Sequence, residues 1–110
     1  MEIKTGANPT LRRNRIHDGK QNGVMVWENG QGTLEDNEIF ANAFSGMEIR
    51  TGGNPTVRGN RISKNTSKAI YVHDGGGGVF EGNDLRGSKT GAWGISPDCL
   101  DKVKREGNLE

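Results

Sequence analysis

The feature that most constrains the fold of this chain is a repeat of 23 residues. The sequence divides without gaps into units at 1–23, 24–46, 47–69 and 70–92, and a fifth unit starts at Trp93. Residues 1–16 and 47–62 differ at only four of sixteen positions, so alternate units resemble each other more than neighbours do. A fixed period of this length is the signature of a solenoid, in which each unit packs only on the units beside it.

The apolar residues of the repeat form four columns. Within a unit they alternate with polar residues over a few positions and then stop at Gly, Asn or Asn-Pro, which is typical of short strands separated by turns. The columns are Met1, Val24, Met47, Ile70 and Trp93; Ile3, Val26, Ile49, Val72 and Ile95; Leu11, Leu34, Val57, Phe80 and Val103; and Ile16, Ile39, Ile62 and Leu85. Stacked at the strand spacing of about 4.8 Å, these columns would fill the interior.

We therefore predict an all-β parallel β-helix with coils of 23 residues. Four complete coils and a capped partial coil would occupy residues 1–96, and residues 97–110 would form a C-terminal cap or tail. The 18 glycines among 110 residues fit this fold, because tight corners need positive φ, and Gly6, Gly52 and Gly75 share one column. A leucine-rich repeat fits less well, since each unit carries at most two leucines.

One polar column runs through all four complete units: Asn14, Asn37, Asn60 and Asn83. Stacked amides can hydrogen-bond to one another and to the backbone of a tight corner. Because the amide recurs in every coil whereas a functional site is normally singular, we interpret this column as a structural asparagine ladder. The sequence contains no comparable pattern for a catalytic or metal site.

Two outward columns alternate in charge, and they are expected to fix the register of the coils. They are Arg12, Glu35, Arg58, Glu81 and Lys104, and Arg15, Glu38, Arg61 and Asp84. Opposite charges one coil apart attract, whereas a binding stripe would place a single sign in a column. The overall balance, 15 Lys and Arg against 14 Asp and Glu, favours neither nucleic acid nor an anionic membrane surface as a partner.

Large side chains gather on the outward face of the first strand of each coil. This candidate binding face comprises Met25, Trp27, Glu28, Glu48, Arg50, Tyr71, His73 and Asp74. Trp27 would lie one coil from both Lys4 and Arg50, which is close enough for cation–π contacts. Exposed aromatic residues with polar neighbours often mark a contact surface. The alternative is that these side chains only cover and stabilise the sheet.

Catalysis is not expected. Glu28 and Asp74 lie two coils apart, about 10 Å, which is a marginal separation for a hydrolytic carboxylate pair. His17 and His73 fall in different columns, so no metal site or histidine relay is predicted. We predict no cofactor and a non-catalytic binding or scaffold domain. The alternative is a carbohydrate-binding or polysaccharide-cleaving β-helix, a lyase or hydrolase.

Two segments resemble a known repeat family. Residues 23–40 and the phrase Asn54-Pro55-Thr56-Val57-Arg58-Gly59-Asn60-Arg61-Ile62 are similar to right-handed parallel β-helix repeats of CASH type. The likeness is greatest to the substrate-binding β-helix of the larger F-box-only ubiquitin-ligase receptors, and related bacterial repeat proteins share the phrase. The resemblance covers about residues 1–95 and implies right-handed coils and a protein ligand.

The remaining expectations concern location and assembly. The N-terminal sequence lacks the apolar core of a secretory signal and no apolar run reaches the length of a membrane span, so we expect a cytoplasmic protein and no membrane partner. Met1 already occupies an interior column. We therefore expect either a fragment of a longer β-helix or end-to-end self-association through the uncapped first coil.

Overall fold

The computed structural model describes residues 1–110 as a solenoid whose coils are built from short parallel strands. The strands are β1 (Glu2–Ile3), β2 (Thr10–Arg12), β3 (Arg15–His17), β4 (Val24–Val26), β5 (Thr33–Glu35), β6 (Glu38–Phe40), β7 (Met47–Ile49), β8 (Thr56–Arg58), β9 (Arg61–Ser63), β10 (Ile70–Val72), β11 (Gly78–Glu81), β12 (Trp93–Ile95) and β13 (Val103–Glu106). The only helix is a 3-10 turn at Pro97–Cys99. No helix has the length and apolarity that a membrane span requires.

Three parallel sheets form the sides of the solenoid. Sheet 1 has the order β1-β4-β7-β10-β12, sheet 2 the order β13-β11-β8-β5-β2, and sheet 3 the order β3-β6-β9. Each step within the first four coils advances by 23 residues, as when Val24 pairs with Met47 and Met47 with Ile70. The predicted period and fold class are thus confirmed.

The predicted apolar columns form the core, except that Met1 is 53% exposed, because no coil packs on the outer side of the first one. Sixteen buried apolar residues make one cluster, and among them Ile49, Val57, Ile62 and Phe80 are fully inaccessible to solvent. Strand alternation explains this, because β4, β7 and β10 each bury their first and third residues and turn the middle one outward. Outward positions on sheet 1 are therefore free for other tasks.

The fifth coil departs from the 23-residue period. Val72 pairs with Ile95, yet Gly78 pairs with Val103, so the segment between these pairs is two residues longer in coil five. The extra residues lie in the stretch that holds the 3-10 turn. Val103 therefore stands beside Gly78 rather than Phe80, and the prediction that it continues the Phe80 column is wrong.

The same shift changes the chemistry of the last coil. Arg105 takes the place beside Phe80, and its guanidinium carbon lies 5.2 Å from the centre of the Trp93 ring. Glu106, not Lys104, stands beside Glu81, so the predicted alternation of charge in that column does not reach coil five. Residues 97–110 thus contain strand β13 and a 3-10 turn, and they place a cation over the end of the core.

Asp98 holds this last segment to the preceding coil. Its carboxylate accepts hydrogen bonds from the Ser96 hydroxyl at 2.5 Å and from the Gly75 backbone N–H at 2.9 Å. These two bonds, the first the stronger influence, lower the pKa of Asp98. Both bonds thus favour the charged form of the carboxylate that accepts them.

The asparagine ladder is present and has one more member than predicted. The backbone N–H and the side-chain amide of each Asn donate to the Oδ1 of the Asn in the next coil, from Asn14 through Asn37 and Asn60 to Asn83. Asn83 in turn donates to Asn108. The recurrence of Glu-Gly-Asn at 81–83 and 106–108 is the sequence signal that would have revealed this 25-residue step.

A second ladder lies at the corner after sheet 3. The Gly19 backbone N–H donates to the Asn42 side-chain oxygen. The backbone and side-chain N–H groups of Asn42 donate to the Asn65 side-chain oxygen, and those of Asn65 donate to the Ser88 hydroxyl. Sequence reasoning missed it because only two of its four positions hold Asn. Asn65 is buried in this ladder.

Each corner of the first four coils contains a residue in the left-handed region. These residues are Thr5, Glu28, Thr51 and Asp74 after sheet 1; Arg13, Asp36, Gly59 and Gly82 after sheet 2, with Gly107 in coil five; and Asp18, Ala41, Lys64 and Gly87 after sheet 3. After sheet 1 the next residue also has positive φ, and the predicted glycines Gly6, Gly52 and Gly75 fill that position in three coils. Positive φ thus accounts for ten of the eighteen glycines.

Candidate functional site

The outward positions of sheet 1 bring the predicted binding face together. Parallel pairing places Met25 beside Glu48 and Glu48 beside Tyr71 along one column. A second column follows each strand and holds Lys4, Trp27, Arg50 and His73 in successive coils. Glu28 and Asp74 lie beyond it at left-handed corners, where both are exposed. The eight residues therefore share one side of the solenoid.

Trp27 lies between two cations, as its column predicts. The Lys4 Nζ is 5.5 Å and the Arg50 guanidinium carbon 4.8 Å from the centre of the indole ring. Because Lys4 and Arg50 come from the coils on either side, both faces of the ring are covered. Trp27 is half-buried, and its Nε1–H is inaccessible to solvent and has no hydrogen-bond partner.

Glu48 is the most connected group on the face. Its Oε1 accepts a hydrogen bond of 2.6 Å from the side-chain amide of Asn22, and its Oε2 lies 2.6 Å from the Nε2 of His73. The glutamate side chain is only 16% exposed. Two short bonds on separate oxygens fix the carboxylate, so Glu48 organises the face from within.

Tyr71 is the exposed aromatic residue of the face, with 39% of its surface accessible. Its ring stacks on the His73 imidazole, with centroids 4.3 Å apart and planes 16° from parallel. His73 is thereby held by a carboxylate at one nitrogen and by an aromatic ring on one side. The chain from Asn22 through Glu48 and His73 to Tyr71 gives the exposed ring a defined orientation.

Sequence reasoning missed two residues of this surface. Asn22 lies in the turn before β4 and reaches Glu48 from outside the predicted columns. Lys68 crosses the bare backbone of Gly94, where an added Cβ would lie 3.2 Å from both Lys68 and Tyr71. Neither contact has a sequence signal, because both depend on how a turn residue folds over a strand.

Two of the three cavities lie at the margins of this face, and the third is lined by residues of the C-terminal segment. A groove of about 370 Å³ is lined partly by Asn22 and Met25. A second, of about 390 Å³, lies at the corner formed by Gly75, Gly77 and Gly78 and is flanked by Lys102 and Lys104. The face itself is a surface without a deep pocket. No group of three or more His, Cys, Asp or Glu side chains is arranged to hold a metal ion.

Comparison with known proteins identifies the family. The model of the family described as right-handed beta helix region matches residues 1–98, which is most of the chain. The chain therefore belongs to the right-handed β-helix family, and its coils are right-handed. No curated protein and no solved structure matches it.

Proposed function

We propose that this chain is a protein-binding or scaffold domain whose partner docks on the binding face of sheet 1. The observation that carries the proposal is the oriented, exposed ring of Tyr71, held by the chain of contacts through His73, Glu48 and Asn22. An exposed aromatic residue held in one conformation loses little entropy on binding, which is characteristic of interface hot spots. The likeness to CASH-type repeats and to the F-box-only receptors also supports a protein ligand.

The geometry favours a protein over a carbohydrate as the partner. A sugar ring stacks on an open aromatic face, and both faces of Trp27 are covered by cations, so only the side of Tyr71 away from His73 is left for such stacking. A protein partner can instead contact the edges of these rings and the charged groups around them. The proposed function needs no catalytic step. We also propose that the chain is not catalytic and that it is located in the cytoplasm.

Site-specific photo-cross-linking tests the proposal. A benzophenone amino acid replaces Tyr71 in one variant and Arg58, an exposed residue on sheet 2, in the control. In a lysate of the source cells, the Tyr71 variant should give a discrete cross-linked protein that mass spectrometry identifies, and the Arg58 control should not. Equal cross-linking from both positions, or none from Tyr71, contradicts the proposal.

Self-association through the first coil is a separate proposal about partners. Leu11 and Ile16 pack on the core from the first coil but stay partly exposed. Sedimentation equilibrium should compare the chain with the triple variant Trp27→Ala, Arg50→Ala, Tyr71→Ala. Association that persists in the triple variant supports the first coil as the contact. Association that disappears assigns the binding face to a second copy of the chain and removes the case for a different protein ligand.

A further inference from the structure

Arg50 is a partly buried cation of the binding face with only long polar contacts. Its Nη2 contacts only the Met25 sulfur, at 4.0 Å, and its Nε lies 4.0 Å from Glu48 Oε2, beyond hydrogen-bond distance. That Nε is inaccessible to solvent and has no hydrogen-bond partner. Glu48 does not turn toward it, because both carboxylate oxygens are already engaged by Asn22 and His73.

Another arginine of the same chain provides the comparison. Arg86 donates two parallel hydrogen bonds to the Asp84 carboxylate, from Nε to Oδ1 and from Nη2 to Oδ2, each 2.9 Å long. This is the bidentate geometry that a guanidinium and a carboxylate prefer. Arg50 has the same donors, but its nearest carboxylate oxygen, Glu48 Oε2, lies 4.0 Å from Nε and forms no bidentate pair.

The indole of Trp27, which Arg50 covers, also has a buried N–H without a hydrogen-bond partner. Trp27 Nε1–H is a buried donor without an acceptor, and it lies in the same stack as the unpaired Nε of Arg50. Unpaired buried donors are rare in folded proteins, and each one calls for an explanation. Two of the three unpaired buried side-chain donors of the chain lie together here, the third being Trp93 Nε1, and an acceptor supplied by a partner would satisfy this pair.

We propose that Arg50 receives a carboxylate from an acidic segment of the protein partner, an inference that rests on the proposed function. On binding, the guanidinium swings off the Trp27 ring and holds the Asp or Glu side chain with two bonds, while Lys4 stays on the other side of the indole. The movement is inexpensive, because Arg50 is held only by a cation–π contact and two contacts of 4.0 Å. The charge-assisted bonds that replace them are stronger.

Nuclear magnetic resonance with model peptides tests this proposal. The nitrogen-15-labelled chain is titrated with a blocked octapeptide of alternating Ser and Glu, and in parallel with its Ser and Gln counterpart. The side-chain N–H signals of Trp27 and Arg50 should move together with the Glu peptide and stay in place with the Gln peptide. Because two charge-assisted bonds are lost, Arg50→Gln should weaken binding about tenfold, and Arg50→Lys, which keeps the charge, should weaken it less.

Arg86→Gln is the matched control, since it removes the same charge from an arginine that already has its carboxylate. It should change the affinity less than about twofold, in keeping with weak long-range screening effects. The proposal is overturned if the Glu peptide moves neither side-chain signal, or if Arg86→Gln weakens binding as much as Arg50→Gln does. A specific cross-link at Tyr71 together with no response to the Glu peptide would retain the binding face and reject only its carboxylate chemistry.

Discussion

At the scale of single residues, the same amino acid differs in burial and in hydrogen bonding from one coil to the next. Asn60 is 1% exposed and takes part in the ladder on both sides, whereas Asn14 in the first coil is exposed. The Asn60 amide donates to the backbone oxygens of Leu34 and Arg58, and its Oδ1 accepts from Asn37. The repeat predicts the ladder, but the contribution of each Asn to the free energy of unfolding depends on how deeply that Asn is buried.

The ladder yields the first prediction. Asn60→Ala leaves the Asn37 backbone N–H buried without a partner and removes the side-chain bonds to the Leu34 and Arg58 carbonyls, so it should lower the free energy of unfolding by about 3 kcal/mol. Asn14→Ala, at the exposed rung, should cost less than about 1 kcal/mol. Urea unfolding followed by circular dichroism measures both. Equal losses would show that the buried ladder bonds add nothing beyond those at the surface.

Ala41 gives a prediction of the opposite sign. Its φ of 56° lies in the left-handed region, where a Cβ is strained, so Ala41→Gly should raise the free energy of unfolding by up to about 1 kcal/mol. Ala43, two residues later, has no positive φ, and Ala43→Gly should lower stability by about 0.5 kcal/mol through backbone entropy. Thermal unfolding of the two variants should therefore shift in opposite directions.

At the scale of elements, register and corner chemistry decide how the strands pair. Arg12 with Glu35 at 3.6 Å and Arg15 with Glu38 at 3.3 Å form the predicted ion pairs between the first two coils. At the other end of the Arg15 column, Asp84 forms its ion pair with Arg86 of its own coil and not with Arg61 of the preceding coil. Charge patterning thus supports the register of the early coils, and the last rungs depend on local contacts.

The pH dependence of stability follows from this last pair. Hydrogen bonds from the Arg86 side chain, and then from its backbone N–H, lower the pKa of Asp84 from 3.8 to about 2. A carboxyl group with a lowered pKa stabilises the fold above its unfolded pKa and loses that effect as the pH falls through the folded value. Asp84→Asn should therefore destabilise the chain at neutral pH by less than about 1 kcal/mol, as for other exposed pairs.

Acid titration of stability checks this prediction. The difference between the chain and Asp84→Asn should shrink as the pH falls from about 4 to about 2. Asp101→Asn, at an exposed residue that forms no ion pair, is the control and should show no such convergence. A constant difference across the titration contradicts the assignment of the effect to the Asp84 carboxylate.

At the scale of the whole molecule, the period predicts the architecture because every coil repeats the same burial pattern. The interior columns through Phe80, the first ladder and the Lys4, Trp27, Arg50 stack all follow from counting in steps of 23. The 23-residue step no longer predicts strand pairing where a coil contains extra residues, as before Val103. It also fails where a turn folds over a sheet, as at Asn22, since such contacts depend on three-dimensional packing.

The account separates columns that build the solenoid from columns that remain free for a partner. Urea unfolding of the double variant Arg50→Gln, Tyr71→Ala, beside Asn60→Ala, tests this separation most directly. The account predicts a loss below about 1 kcal/mol for the face variant, because only exposed or half-buried groups change, and about 3 kcal/mol for the ladder variant. A face variant that unfolds as readily as the ladder variant would contradict it and would assign Arg50 and Tyr71 to the stability of the sheet.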